Sequence, residues 1–252
     1  MNDYAPKIAR WTNQAELATK YCFISDLHCF SSRSTAAQHD RLIGQVIERS
    51  DVCVWGGDLF DFRWSQLGHE DESIAVALQW LERFYQNFPS KQFVFLSGNH
   101  DAHQAFVQQL HQWALPKERF QCGLDALITG DTLFLHGDVI EGGGSDLAFS
   151  SYRRSWQNKP IAKPHASKLY DAAVRARLHN AVAFSAHRRR RTCQRLIRWI
   201  DRQDAQLIRP VRRVVFGHTH RRIDCYQMSG FEFYNGGAAI KHVKFHPVEL
   251  TV

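Results

Sequence analysis

The chain has 252 residues and no run of about 18 consecutive apolar residues, so it holds no candidate membrane-spanning helix. The first residues carry Asp3, Lys7 and Arg10 and no apolar core, so no secretory signal peptide is expected. Cys22, Cys29, Cys53, Cys122, Cys193 and Cys225 form no CxxC pair, and several lie within apolar runs. That pattern argues against a disulfide framework and for reduced core thiols in a cytoplasmic protein. No internal repeat is found, and low complexity is confined to Arg188–Arg191. What the chain does have is core material. A hydrophobic fraction of 44%, with seven Trp and seventeen Phe, excludes a disordered chain. The length fits one large domain, or one domain carrying an insertion.

Charge is unevenly spread. Residues 151–213 hold 17 Lys/Arg against 3 Asp/Glu, while the rest of the chain holds 15 against 22. An acidic, carboxylate-rich body therefore carries one strongly basic segment. Such asymmetry suits a phosphorylated substrate, an anionic membrane surface or another polyanion.

Short apolar runs recur along the body, and each stops at polar residues. Residues 21–24 lead into Asp26-Leu27-His28, and residues 52–55 into Gly57-Asp58-Leu59-Phe60-Asp61. Residues 93–96 lead into Gly98-Asn99-His100-Asp101, and residues 133–135 into His136-Gly137-Asp138. Residues 214–216 lead into Gly217-His218-Thr219-His220. Apolar residues at helical spacing separate the first three runs (Leu42, Ile43, Val46 and Ile47; then Ile74, Leu78, Leu81, Phe84 and Tyr85). Strand–helix alternation with polar strand ends predicts an α/β enzyme whose ligands bind at the carboxyl ends of the strands. Strand alternation would turn Asp26 and His28 to one side. The first 20 residues read as a lead-in, and residues 223–227, 231–234, 243–245 and 248–252 as antiparallel strands. The glycines at 142–144 mark the clearest boundary. They divide a body, 1–145 and 210–252, from a basic helical cap at 146–209.

A lone histidine or Gly-Asp at a strand end is usually a satisfied polar residue or a turn. Five such segments in one chain are another matter. Imidazole nitrogens mixed with carboxylate and amide oxygens suit Mn, Fe or Zn, as two divalent or trivalent ions. The donors on offer are Asp26, His28, Asp58, Asn99, His136, His218 and His220. Two adjacent ions need a shared carboxylate and separate ligand sets, and such a pair activates water and clamps phosphate oxygens.

The order DxH, GDxxD, GNHD, HGD, GHTH, from Phe23 to His220, resembles the calcineurin-like metallophosphoesterase superfamily. The resemblance implies a four-layer α/β/β/α sandwich with the dinuclear site at one edge. It implies one ion on Asp26, His28 and His220, another on Asn99, His136 and His218, and Asp58 bridging both. Asp61 would orient a ligand. The implied chemistry is in-line attack on phosphorus by a metal-bridging hydroxide, with His100 serving the leaving oxygen and Asp101 orienting its ring. The long segment between His136 and His218 resembles the UDP-2,3-diacylglucosamine hydrolase branch, in which a helical cap holds the acyl chains of a lipid nucleotide. That branch most often carries Arg where this chain has His100, and Cys-Thr-Asp-Asp after its HGD, where this chain runs from Val139 to Asp146. Only Asp146, Tyr152 and Arg153 resemble parts of that stretch.

Within the basic segment, Arg188, Arg191, Arg195, Arg198 and Arg202 step by three or four, so a helix would align them in one stripe. Arg153, Arg191 and Arg195 are the candidate substrate contacts, because a guanidinium pairs bidentately with phosphate. A solvated helix face is the plainer account of the stripe. Two alternatives to a lipid-nucleotide enzyme stand: a nuclease tracking phosphates along the arginines, and a non-catalytic binding protein of the same fold. Few aromatics interleave the arginines, which disfavours the first. The complete donor set disfavours the second.

Overall fold

In chain order the elements are β1 (Ile8–Trp11), β2 (Lys20–Ile24), α1 (Asp40–Arg49), β3 (Val52–Trp55), α2 (Glu70–Asn87) and β4 (Gln92–Leu96). Next come α3 (Gln104–Ala114), β5 (Phe120–Leu124), β6 (Ala126–Thr129), β7 (Thr132–Leu135), α4 (Asp146–Gln157) and α5 (Arg189–Ile200). Finally β8 (Arg213–Phe216), β9 (Ile223–Met228), β10 (Phe231–Asn235) and β11 (Val248–Thr251) complete the chain. This computed structural model describes residues 6–11, 18–143, 145–162 and 188–252, with positions 166, 172 and 174.

The strands form two sheets, one ordered β11-β2-β3-β4-β5 and the other β1-β6-β7-β8-β10-β9. Strands β2 to β5 run parallel, and β11 closes their edge antiparallel to β2. Alternation within each apolar strand explains the layering. Tyr21, Phe23, Val52, Val54, Val94 and Leu96 face Leu127, Phe134 and Val215 of the other sheet. The intervening Cys22, Ile24, Cys53, Trp55, Phe93 and Phe95 pack outward beneath α1, α2 and α3. On the far side, Phe149 of α4 and Cys193, Leu196, Trp199 and Ile200 of α5 cover the six-stranded sheet. Strands covered on both faces must be apolar throughout, which is why these runs read as continuous rather than alternating. The result is the four-layer α/β/β/α sandwich.

Several elements differ from the sequence reading. Residues 8–11 are not lead-in but an edge strand, paired parallel with β6. Strands β5 and β6 and helix α3 are additional elements. Residues 243–245 form no strand; a single bridge joins Phe245 to Gly237. The segment 146–209, expected as a cap, places α4 and α5 in the sandwich's own outer layer. Most of residues 163–187 lies outside the described residues. All six cysteines are free, and only Cys225 is exposed. No helix among the described residues is long and apolar enough to cross a membrane.

Candidate metal centre

The loops leaving β2, β3, β4, β7 and β8 converge at one end of the sandwich. They do so by turning sharply. Asp26, His28, Asp58, His218 and His220 all have left-handed backbones, with φ between 45° and 63°. For residues with a Cβ this costs about 1–3 kcal/mol each, and it persists where surrounding structure enforces it. Asp26 and His28 therefore reach one side through successive left-handed turns beyond the end of β2, not through strand alternation. Gly98 and Gly217 permit the close approach: a Cβ on Gly98 would collide with Asp58, and one on Gly217 with Asp26.

The donors meet in two adjoining groups. In the first, His28 Nε2 lies 2.9 Å from His220 Nε2, and His220 Nε2 lies 3.4 Å from Asp26 Oδ1. In the second, His136 Nε2 lies 3.4 Å from Asp58 Oδ2, and the His218 side chain completes the group. Asp58 Oδ2 is also 3.9 Å from His28 Nε2, so this carboxylate stands between the groups. Backbone and side-chain bonds fix the donors. The His218 amide donates to both Asp26 oxygens at 3.0 Å, the His100 amide to Asp58 Oδ1 at 2.8 Å, and His136 Nδ1 lies 2.9 Å from the Gly56 carbonyl. His136 Nε2 and Asn99 Oδ1 are buried and make no hydrogen bond. A buried imidazole nitrogen and amide oxygen left without partners, beside carboxylates, fit a cation.

A third group adjoins these: His28, Asp61 and His100. His100 Nδ1 lies 3.0 Å from Asp61 Oδ1. Asp101, expected to orient that ring, instead accepts the backbone amides of Phe60 at 3.0 Å and Leu59 at 3.3 Å. Its carboxylate clamps the loop that carries Asp58, and Asp61 takes the place beside His100. Arg33, which the sequence reading missed, is buried with its guanidinium 2.9 Å from His28 Nδ1 and 3.4 Å from Asp61.

A family model for calcineurin-like phosphoesterases matches residues 19–222. The chain belongs to that family. No curated protein matches it. The match stops before β9, β10 and β11, which complete both sheets.

The electrostatics of this calcineurin-like phosphoesterase suit a metal-dependent hydrolase. Burial disfavours the charged forms of His28 and His220, and Arg33 adds to the effect on both; the His28 pKa falls to about 3. A neutral ring offers a lone pair. Burial would raise the Asp58 pKa, but His136, His100 and His28 outweigh it and hold the carboxyl well below the usual range. The same pairing overcomes burial at His136 and pushes its pKa up to about 10. Burial and the charge of Asp58 push Asp101 up to about 7. These are carboxylates that demand positive charge, and a bound cation would supply it.

The three substrate-contact arginines fare differently. Arg153 is buried, and its Nε and Nη2 donate to Asp138 at 2.5 and 2.9 Å and its Nη2 to the Ser97 carbonyl at 2.8 Å. It fastens α4 to the ends of β4 and β7, so it is a structural anchor, not a phosphate contact. Arg191 is exposed and Arg195 half-buried on α5, and among the described residues neither bonds to the cluster. Further residues to which the sequence reading gave no role in the site reach it. Glu141 Oε1 sits 2.9 Å from His218 Nε2, on a 3-10 turn (Asp138–Gly142) directly after the HGD motif. Tyr152 and Trp156, four apart on α4, bring their rings to 6.5 Å from His218 and 4.4 Å from His100. Their spacing, i and i+4 on a helix, was the available signal.

Proposed function

We propose that this protein is a dinuclear metal-dependent phosphoesterase that hydrolyses a phosphodiester or pyrophosphate bond. The observation that carries the proposal is the convergence of Asp26, His28, His220, Asp58, His136 and His218 in two adjoining groups, with His136 Nε2 and Asn99 Oδ1 buried and making no hydrogen bond. Asp26, His28 and His220 would hold one ion, and Asn99, His136 and His218 the other, with Asp58 shared. When bound, two such ions lower the pKa of water and balance charge on the transferring phosphoryl group. Mn, Fe and Zn all accept this donor mixture.

The protein's own residues would then do the following. Asp61 and Arg33 hold His28 from its Nδ1 side, and Glu141 holds His218 from its Nε2 side, each fixing a ring's orientation. Asp61 also holds His100 by Nδ1, leaving its other nitrogen to meet the leaving oxygen. Asp101 keeps the Asp58–Phe60 loop in place through two amide bonds.

For the substrate we propose a phosphorylated small molecule, with a UDP-2,3-diacylglucosamine-like lipid nucleotide favoured by the long segment between His136 and His218. A cytoplasmic location, with peripheral contact to an anionic membrane surface, belongs to this reading. A second reading, a nucleotide or nucleic-acid phosphodiester, is favoured by the exposed Arg189, Arg190, Arg191 and Arg198 on α5. The deciding experiment uses metal-stripped protein, with and without added Mn²⁺. It assays an aryl phosphodiester, UDP-2,3-diacylglucosamine and single-stranded DNA. Metal-dependent turnover of the lipid nucleotide supports the first reading, and metal-dependent cleavage of DNA the second. No turnover of any of the three, with both ions shown to be bound, overturns the enzyme.

A further inference from the structure

Three segments that leave the metal centre come together on its His100 side. Helix α2 begins at Glu70, after the loop that carries Asp58 and Asp61. Helix α3 begins at Gln104, shortly after Asn99, His100 and Asp101. The third segment, Asn158 and Lys159, follows the end of α4, whose Trp156 ring lies 4.4 Å from the His100 ring. A groove of about 360 Å³ opens among them, lined by Glu70, His103, Gln104, Gln108, Asn158 and Lys159. His103 is three residues from His100, so their Cα atoms are at most ~11 Å apart. A sugar ring joined to a phosphate spans a distance of that order.

The lining is polar, and its chemistry points to a class of ligand. Glu70 and Lys159 bring one charge of each sign, so the groove favours neither an anion nor a cation. Lys159 Nζ is turned onto the Trp156 ring, 3.3 Å from its centre. The His103 ring packs against Phe62 at 5.6 Å, and its Nε2 lies 3.5 Å from Glu70 Oε2. Its Nδ1 is buried and makes no hydrogen bond. The ring nitrogen that faces a carboxylate carries the proton, so His103 holds Oε2 and leaves Oε1 to accept from a ligand. The side-chain amides of Gln104, Gln108 and Asn158 can each donate and accept. A carboxylate acceptor among groups that both donate and accept matches the adjacent hydroxyls of a sugar, as carboxylates meet ribose hydroxyls in dinucleotide sites.

We propose that this groove is a subsite for a sugar in the leaving group, with Glu70 accepting from one of two adjacent hydroxyls and Gln104, Gln108 and Asn158 meeting the others. This rests on the proposed function, because His100 defines the leaving-group side. It narrows that reading to substrates whose departing group carries a ribosyl or glycosyl ring. Glu70 and Gln108 determine specificity, and His103 is the positioning residue that holds the carboxylate. A ribose and a hexose present the same adjacent hydroxyls, and the experiment separates them.

The test is equilibrium binding to the Mn²⁺-loaded protein, with Mn²⁺ in excess, by titration calorimetry. Two pairs of non-hydrolysable phosphonates are compared. One pair is the 5′-phosphonate analogue of adenosine monophosphate and its 2′,3′-dideoxy form, and the other is glucopyranosylmethylphosphonate and cyclohexylmethylphosphonate. In at least one pair the hydroxylated member should bind about tenfold more tightly, as expected for one charge-assisted contact. A preference in the first pair assigns a nucleoside, and a preference in the second a hexose. The double variant Glu70→Ala, Gln108→Ala should erase the preference while leaving the affinity of the member without hydroxyls unchanged, which a merely structural role would not do. Glu70 and Gln108 are both exposed, so the variant should fold; matching wild-type circular dichroism checks this. A preference below twofold in both pairs, binding of none of the four ligands, or a preference that survives in the double variant overturns the subsite. Hydrolysis of the aryl phosphodiester by the same preparation reports separately on the proposed function, because binding is read without turnover.

Discussion

The strand-end cluster and helix α5 are the two most charged regions of this protein, and they obey different rules. Asp26, Asp58, Asp61 and Asp101 are buried, and each carboxylate is engaged by imidazoles, a guanidinium or backbone amides. Arg188 to Arg191 and Arg198 stand exposed at the surface. Leaving a buried charge unmatched costs several kcal/mol, so every neighbour of the cluster has to be in place. Exposed charges are satisfied by water and leave their surroundings free. Position is therefore informative in the first region and nearly silent in the second. Arg153 makes the point from within the basic segment: once buried, it needs Asp138 and the Ser97 carbonyl, and its role becomes readable.

The comparison can be broken or sharpened by substitution. The largest effect is expected at Asp58. Asp58→Asn should cut turnover on the order of 10⁴-fold while Tm, measured by calorimetry, changes little, because the isostere keeps the loop but loses the shared charge. Chelation by EDTA should abolish activity likewise, and Mn²⁺ should restore it. His100→Ala should slow kcat by about 10²–10³-fold with both ions retained in elemental analysis. Loss of the ions instead would remove His100 from the leaving-group role. Asp61→Asn should resemble His100→Ala in kcat, whereas Asp101→Asn should lower stability without selectively lowering kcat, since its bonds go to the Leu59 and Phe60 amides.

Arg153→Ala should destabilise by about 3–5 kcal/mol, because it strands buried Asp138, and it should show in urea melts rather than in KM. Glu141→Gln should weaken one of the two metals by about 10–100-fold, read by competition with a chelating dye. The smallest effect is expected from Arg191→Ala and Arg195→Ala. Both should leave Tm unchanged, and a change in KM confined to one substrate would show what the stripe meets.

Much of the cluster was legible in the residues themselves. His136, His218 and His220 follow apolar runs too short and too uniformly apolar to be anything but buried strands, so their side chains had to emerge at strand ends. The partner of His100 was not legible. Adjacency favoured Asp101, but the chain turns between His100 and Asp101, and Asp61, which is 39 positions earlier, arrives from the neighbouring loop. Arg33 and Glu141 were hidden for the same reason, since neither lies in a motif and both reach the site only because loops from different strands crowd one end of the sandwich. Edge strand β1 escaped because its four residues, Ile8–Trp11, include Arg10 and are only partly buried, so neither alternation nor a long apolar run marks it.

By itself the sequence determined the class of fold and the strand ends at which imidazoles and carboxylates gather, because burial on both faces of a sheet is written in residue type and order. Tertiary structure alone decided which carboxylate faces which ring, that α4 and α5 cover a sheet, and that Arg153 is an anchor. Those outcomes depend on distances between segments far apart in the chain, and no local spacing encodes them.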